Sequence, residues 1–424
     1  MKQLLTLKKT LALLLAAALL LPFFAWAAPL EPLQPEEAAI AAISDEIIEE
    51  EITMAAAITP GIDLPVKSAI LMDQASGAVL YAENEDVQLP PASITKVMSL
   101  LLIMEAIDSG KIALTDQVTC SDTASGYGGS QIWLKPGEVM TVDELLKAAV
   151  ISSANDATVC LAEYVAGSEE AFVHQMNQRA QELGMQNTTF LGSTGLDEAG
   201  HLSTARDIAI MSRALLEHPL ILNYSTVWMD TLRGGETQLV NTNRMVRFYK
   251  GATGLKTGTT NGAGSCLSAT ATRDGLGLIA VVMGADTSDH RFAAARSLLD
   301  WGFASFMQAQ LSPPENLLPV PVTGGVQTQV EVVCRPPQEG ILVEKGKLEA
   351  ITQDVILPES APAPIQEGQE LGRVAVCVDG ERVAEYPIVA AGPVERMSFG
   401  RALGILGNNL IAMEIGRASY RERV

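Results

Sequence analysis

The chain predicts an α+β protein: an antiparallel sheet whose strands come from both ends of one domain, covered by helices, followed by a small all-β domain. Three observations carry this. Two strand-like apolar runs open the globular part, a long series of segments with helical period follows, and two further strand-like runs return before a closing helix. Beyond a proline-rich boundary the pattern changes to short strands separated by Pro and Gly turns.

Residues 1–28 read as a signal peptide. Lys2, Lys8 and Lys9 precede an apolar run over 11–21, and Ala25-Trp26-Ala27 offers a small-x-small cleavage pattern. Residues 29–61 hold eight acidic residues and no basic one, a self-repelling block that reads as a linker.

The first domain, 62–310, opens with runs at 68–73 and 78–82 around Gln74-Ala75-Ser76-Gly77, a hairpin pattern. Pro91-Ala92-Ser93-Ile94-Thr95-Lys96 then feeds the run 97–107, apolar on nearly every turn and so predicted to be a buried helix. Thr141 followed by Glu144 predicts a capping box on a helix over 141–150. Helical period continues over 156–165, with Ala157, Leu161 and Val165 on one face, and over 168–183, with Phe172, Met176, Ala180 and Leu183. A further helix, 203–216, is capped by Ser203 or Thr204 with Asp207 in its first turn. From Gly254 the period becomes that of strands, at 264–272 and 276–283, split by the hairpin signal Asp274-Gly275. The closing helix, 291–306, offers Ala294, Leu298, Leu299, Trp301 and Phe303 to a core.

Pro313, Pro314, Pro319 and Pro321 mark the passage to a β-rich domain, 311–392, with strands predicted at 326–332, 348–355, 370–378 and 382–389. It clusters no acid, base or nucleophile, so its expected role is spacing or docking. In the tail, 393–424, Phe399, Leu403, Leu406, Leu410 and Met413 recur at helical spacing among arginines. That reads as an amphipathic helix on a membrane surface; a docked or frayed tail is the alternative. Asn408-Asn409 makes it too polar to span.

A net charge of −21 argues against a nucleic-acid partner, because a phosphate backbone needs a basic face. The five cysteines form no Cys-x-x-Cys and the four histidines show no ligand spacing, so neither a metal nor another cofactor is expected. Cys160 and Cys266 read as small core residues, whereas Cys334 and Cys377 could pair or stay free.

Three short strings carry the chemistry. Ser93 and Lys96, three apart, share one helical face and bring a hydroxyl to an amine. Alone, they better suit a serine near a helix start with a snorkelling lysine. Ser152-Ser153-Ala154-Asn155 lies in the connection after the 141–150 helix, and Lys256-Thr257-Gly258-Thr259 leads into a strand. Each stands at the edge of an element, where side chains can converge, and the ordered set is far more specific than any one member.

With these motifs the chain resembles the serine penicillin-recognising enzymes, and more narrowly the low-molecular-weight penicillin-binding proteins that act as D-alanyl-D-alanine carboxypeptidases. Gly129-Ser130-Gln131-Ile132-Trp133, Thr194-Gly195-Leu196-Asp197 and Leu299-Asp300-Trp301-Gly302-Phe303 add to the likeness, which runs from about residue 68 to 306 and continues into the β-rich domain and tail. One departure is Ala154, where the family often has glycine; its methyl is tolerated if that backbone does not need positive φ. The resemblance implies a β-lactamase/transpeptidase-like fold with an all-helical subdomain. It implies removal of the terminal D-alanine from peptidoglycan pentapeptide stems through an acyl-enzyme, and covalent inhibition by β-lactam antibiotics. It also implies a place on the extracytoplasmic face of the bacterial membrane.

The implied roles fall on residues suited to acyl transfer. Ser93 is the nucleophile and Lys96, desolvated, its base. Ser153 relays the proton to the leaving amine. Asn155 bridges Lys96 and the substrate amide. Lys256, kept charged, and Thr257 receive the terminal carboxylate, with Arg291 as a second carboxylate-sensing group. The backbone N–H groups of Ser93 and Thr259 form the oxyanion hole. The alternatives are a D,D-endopeptidase on cross-linked peptidoglycan, a serine β-lactamase, and a catalytically silent wall-binding protein.

Overall fold

The computed structural model describes residues 62–338 and 340–404. The expected signal peptide, the acidic linker and the tail past residue 404 lie outside the described residues.

A five-stranded antiparallel sheet forms the centre, with β1 (Ser68–Asp73), β2 (Val79–Glu83), β3 (Ala252–Thr260), β4 (Gly264–Arg273) and β5 (Leu276–Ala285) in the order β2-β1-β5-β4-β3. The first hairpin therefore docks on the last, and β3 is left as an edge. In β5, Ile279, Val281 and Met283 enter one core while Leu278, Ala280 and Val282 enter another. The strand's two-residue period thus places apolar side chains on both faces, as a sheet covered on both sides requires.

One face packs on α1 (Lys96–Asp108) and on a helix, α5, over Ala205–Leu216, and α2 (Val142–Ile151), α3 (Asn155–Ala166) and α4 (Glu169–Glu182) extend the same core beyond α1. Thr141 and Glu144 form the reciprocal capping box at the start of α2. Thr204, not Ser203, caps α5 by accepting the Asp207 N–H. The other face is covered by α6 (Ser288–Ser305), which starts three residues earlier than its apolar period suggests because Thr287 caps it by accepting the His290 N–H. Of its expected core residues, Ala294, Leu298, Leu299 and Phe303 are buried, and Trp301 is half-buried, edge-on to Tyr81 and Phe306.

Past α6 the chain enters a β-rich module with its own core. Phe306–Ala309 pairs with Ile341–Glu344, and a four-stranded antiparallel sheet is built on the hairpin Glu370–Val378/Glu381–Ala390. Two expected strands come out differently. The alternation over 326–332 is broken into Gln329–Val330 and Val332–Cys334, which pair with different partners, and 345–350 forms a 3-10 turn before the strand Ile351–Ile356. Cys334 and Cys377 are both free: Cys334 opposes Ile388, itself opposite Gly372, whereas Cys377 opposes Arg382 farther along the sheet. Residues 399–404 are helical, with Phe399 and Leu403 exposed.

Candidate active site

Ser93 lies on a 3-10 turn, Ala92–Thr95, that runs directly into α1, so the helix read from 97–107 starts just after the serine. The turn keeps Ser93 and Lys96 on one side, and Lys96 Nζ stands 3.2 Å from Ser93 Oγ. Ser93 is half-buried and reachable, while Lys96 is fully buried. Lys96 Nζ donates to Asn155 Oδ1 at 2.5 Å and to the Thr194 carbonyl at 2.9 Å. Burial first, and the charge of Lys256 second, hold the Lys96 amine well below the ordinary lysine range, opposed by the carboxylate of Asp156.

Asn155 is the first residue of α3 and stays within reach of Lys96 because the loop before α2 grips it. Its backbone N–H donates to Ser130 O at 2.7 Å and its Nδ2 to Gly128 O at 2.6 Å. Gly129 between them has φ +84°, and a Cβ there would come within 2.7 Å of Asn155 Nδ2, so only glycine lets the loop approach. The loop is fixed in turn by Asp156, whose buried carboxylate accepts from the N–H groups of Ile132, Leu134 and Ala157. Ser153 sits between α2 and α3 at φ +62°, while Ala154 has φ −63°, so the left-handed position falls on the serine and the alanine methyl is unstrained. Ser153 is buried, and its hydroxyl makes no hydrogen bond among the described residues.

The Lys-Thr-Gly string lies on the edge strand β3 against the Ser93 turn. A Cβ on Gly258 would meet Pro91 O at 2.9 Å and Ser93 N at 3.0 Å, so the two backbones touch. Lys256 is buried and donates to the Thr257 carbonyl at 2.9 Å. Here one expectation is corrected: burial, and secondly the Arg291 charge, lower its amine to about 7, so it is not fully charged at neutral pH. Thr257 Oγ1 donates to Thr242 Oγ1 at 2.7 Å. Thr259 is exposed at the strand end, and Arg291 reaches it from α6, donating to Thr259 Oγ1 at 2.8 Å and Gly258 O at 2.9 Å.

The structure therefore joins Ser93, Lys96 and Asn155 by direct hydrogen bonds, and Thr259 with Arg291. Lys256 and Thr257 lie on the strand that touches Ser93, and Ser153 stands two residues from Asn155. Residue-type reasoning assigned no part to Asp156, Thr242 or His201. His201 Nδ1 accepts from the Leu191 N–H, so its Nε2 carries the proton and donates to Thr95 Oγ1 at 2.8 Å, next to Lys96. A lone histidine far away in sequence gives no local signal of such a contact.

A serine and a desolvated amine beside an amide and a cationic strand are equipped for acyl transfer. Comparison with known proteins agrees. A family model described as D-alanyl-D-alanine carboxypeptidase matches residues 53–287, and one described as penicillin-binding protein 5, C-terminal domain, matches 314–396. The chain is 43% identical over 338 residues to the D-alanyl-D-alanine carboxypeptidase DacF of Bacillus subtilis, covering 78% of this chain and 87% of that one. To DacC of Escherichia coli it is 36% identical over 349 residues, covering 80% and 86%. The crystal structure of penicillin binding protein 5 from Haemophilus influenzae superposes with a TM-score of 0.70 at 31% identity, covering 80% of this chain and all of that one.

Proposed function

The chain belongs to the D-alanyl-D-alanine carboxypeptidase family, and we propose on that footing that Ser93 is its nucleophile and Lys96 the base that activates it. The enzyme is a serine-type D-Ala-D-Ala carboxypeptidase acting on peptidoglycan, a hydrolase of the penicillin-binding class.

The observation that carries the assignment is the set of three contacts around Lys96 Nζ. Asn155 Oδ1 and Thr194 O can only accept, so they take the two hydrogens of a neutral amine and leave its lone pair facing Ser93 Oγ. Burial lowers the pKa of that amine and so favours its neutral form. Ser93 then attacks the carbonyl of the penultimate D-alanine as its proton passes to Lys96. The edge of β3 against the Ser93 turn supports an oxyanion hole made by the N–H groups of Ser93 and Thr259, a contribution of about 3 kcal/mol to the barrier in comparable sites. Ser153, whose hydroxyl has no other partner among the described residues, relays the proton to the departing D-alanine nitrogen. Asn155 spends one Nδ2 hydrogen on Gly128 and keeps the other for the substrate carbonyl.

The terminal carboxylate is received by Lys256 and by Thr257, which turns its proton from Thr242 to the anion. Arg291 acts through Thr259, whose hydroxyl oxygen it already holds. An arriving carboxylate favours the charged form of Lys256, so binding itself completes the cationic site. Water then releases the acyl group.

The working division of the chain is 62–310 for catalysis and 311–392 for spacing. The tail at 393–424 associates with the extracytoplasmic face of the cell membrane, a reading supported by exposed Phe399 and Leu403 one turn apart. Among the described residues no helix is long and apolar enough to cross a membrane.

Release of D-alanine from a soluble pentapeptide tests the function. Wild type releases one equivalent per peptide and Ser93→Ala none; release by Ser93→Ala at the wild-type rate overturns the assignment.

A further inference from the structure

In a chain of net charge −21, one patch is locally cationic. A groove of about 290 Å³ runs between the short helical turn Met245–Phe248 and the first two turns of α6. Asp289, Phe292, Ala293 and Arg296 line one wall, at the i, i+3, i+4 and i+7 spacing of a single helix face, and Arg244 and Phe248 line the other. Arg244 Nη2 pairs with Asp289 Oδ1 at 2.5 Å. Arg296 has no ion pair among the described residues, and neither has Arg247, which stacks 5.5 Å from the rings of both Trp228 and Phe248 just outside the groove. The groove thus holds one carboxylate and two guanidiniums, with Arg247 just outside it, and exposed Phe248 and Ala293 leave it open.

The groove is one ring away from the catalytic strand. Phe292 lies between two guanidiniums, Arg244 at 4.7 Å and Arg291 at 4.9 Å from its centroid, and Arg291 in turn holds Thr259. Groove and Thr259 are therefore linked through Phe292 and Arg291.

We propose that the groove is a second anion site, which takes a carboxylate of a neighbouring peptide stem on the same wall polymer. The Arg244–Asp289 pair shows that the site already accommodates a carboxylate beside a guanidinium, and Arg296 supplies the uncompensated charge for another. Flanking rings offer apolar contact to the aliphatic part of a peptide. The proposal rests on the active-site reading, because it takes the substrate to be a polymer bearing many stems. Two-point attachment raises affinity for that polymer without changing the chemistry at Ser93.

The test uses the full-length enzyme with its catalytic serine acylated by penicillin, so that only other sites can hold the polymer. Its co-sedimentation is measured with wall sacculi freed of phosphate-linked polymers by hydrofluoric acid. The acylated enzyme should bind, and Arg296→Gln should weaken binding about fivefold, the size of one solvent-facing ion pair, and Phe248→Ala by a similar factor of about five through lost apolar contact. Amidating the sacculus carboxylates should abolish the difference between wild type and variants. D-alanine release from a soluble pentapeptide should stay unchanged in both variants. Variants that sediment like wild type overturn the proposal, as does binding that appears only on sacculi retaining their phosphates, or an equal loss on the soluble peptide. Failure of penicillin to acylate the enzyme would instead strike the active-site reading, and is seen before the sacculi are added.

Discussion

Lys96 Nζ lies 2.5 Å from Asn155 Oδ1, a neutral oxygen that orients the amine without charging it. Replacing that oxygen by a carboxylate, Asn155→Asp, puts a negative charge in contact with a buried amine and raises its pKa. The acid limb of the pH–rate profile should then move to higher pH by about one unit or more. A profile whose acid limb stays in place would show that Lys96 is not the group being titrated.

The lowering of Lys256 to about 7 predicts an alkaline limb for substrates with a free terminal carboxylate. Below that pH the amine is charged and attracts the anion; above it the charge is lost and KM rises. A substrate whose terminus is amidated should lack the limb. Lys256→Gln should hurt the free acid more than the amide, and parallel losses would remove Lys256 from carboxylate binding.

Gly195 packs on the turn that carries Ser93. It has φ +83°, and a Cβ there would fall 1.9 Å from Ala92 O and 2.7 Å from Thr95 Oγ1, so something must move. Gly195→Ala should destabilise the fold by roughly 3 kcal/mol, from overpacking and a left-handed backbone together. It should also slow penicillin acylation at temperatures where the variant remains folded. Thermal unfolding and acylation rate together check this; a variant with both unchanged would mean that the loop and the turn are not coupled.

His201 is pushed down to about 4 by burial, so the native protein keeps it neutral while the unfolded chain protonates it near 6.5. Above pH 6.5 neither state binds the proton and the group adds no pH dependence. As pH falls from 6.5 toward 4 only the unfolded state gains it, and stability declines, by an amount on the order of 3 kcal/mol at pH 4. Urea unfolding at pH 7 and pH 4.5 should show a smaller difference for His201→Gln than for wild type. Equal differences would place the acid sensitivity elsewhere.

Much of this architecture was legible along the chain because its signals are local. Thr141 with Glu144, Asp274-Gly275 and the double-sided apolar pattern of β5 each depend on residues a few positions apart. The three strings around Ser93, Ser153 and Lys256 are local as well, so each is legible without knowledge of its contacts. What escaped was set by burial and by distant partners. The Thr95–His201 bond spans 106 residues, and the grip of Asp156 on Ile132 and Leu134 links a helix start to a loop upstream. Lys256 was expected to stay charged because its role asks for charge, but its enclosure beside Arg291 acts against that. In the β-rich module the apolar alternation over 326–332 is real. It cannot foretell that the chain changes partner strand after Val330.

The most direct test is to incubate the enzyme with a penicillin and locate the adduct by intact mass and peptide mapping. A single adduct is expected on the peptide containing Ser93, formed slowly in Lys96→Ala and absent in Ser93→Ala. An adduct of equal yield on Ser93→Ala, or one that maps to Ser153 in the wild type, would contradict it.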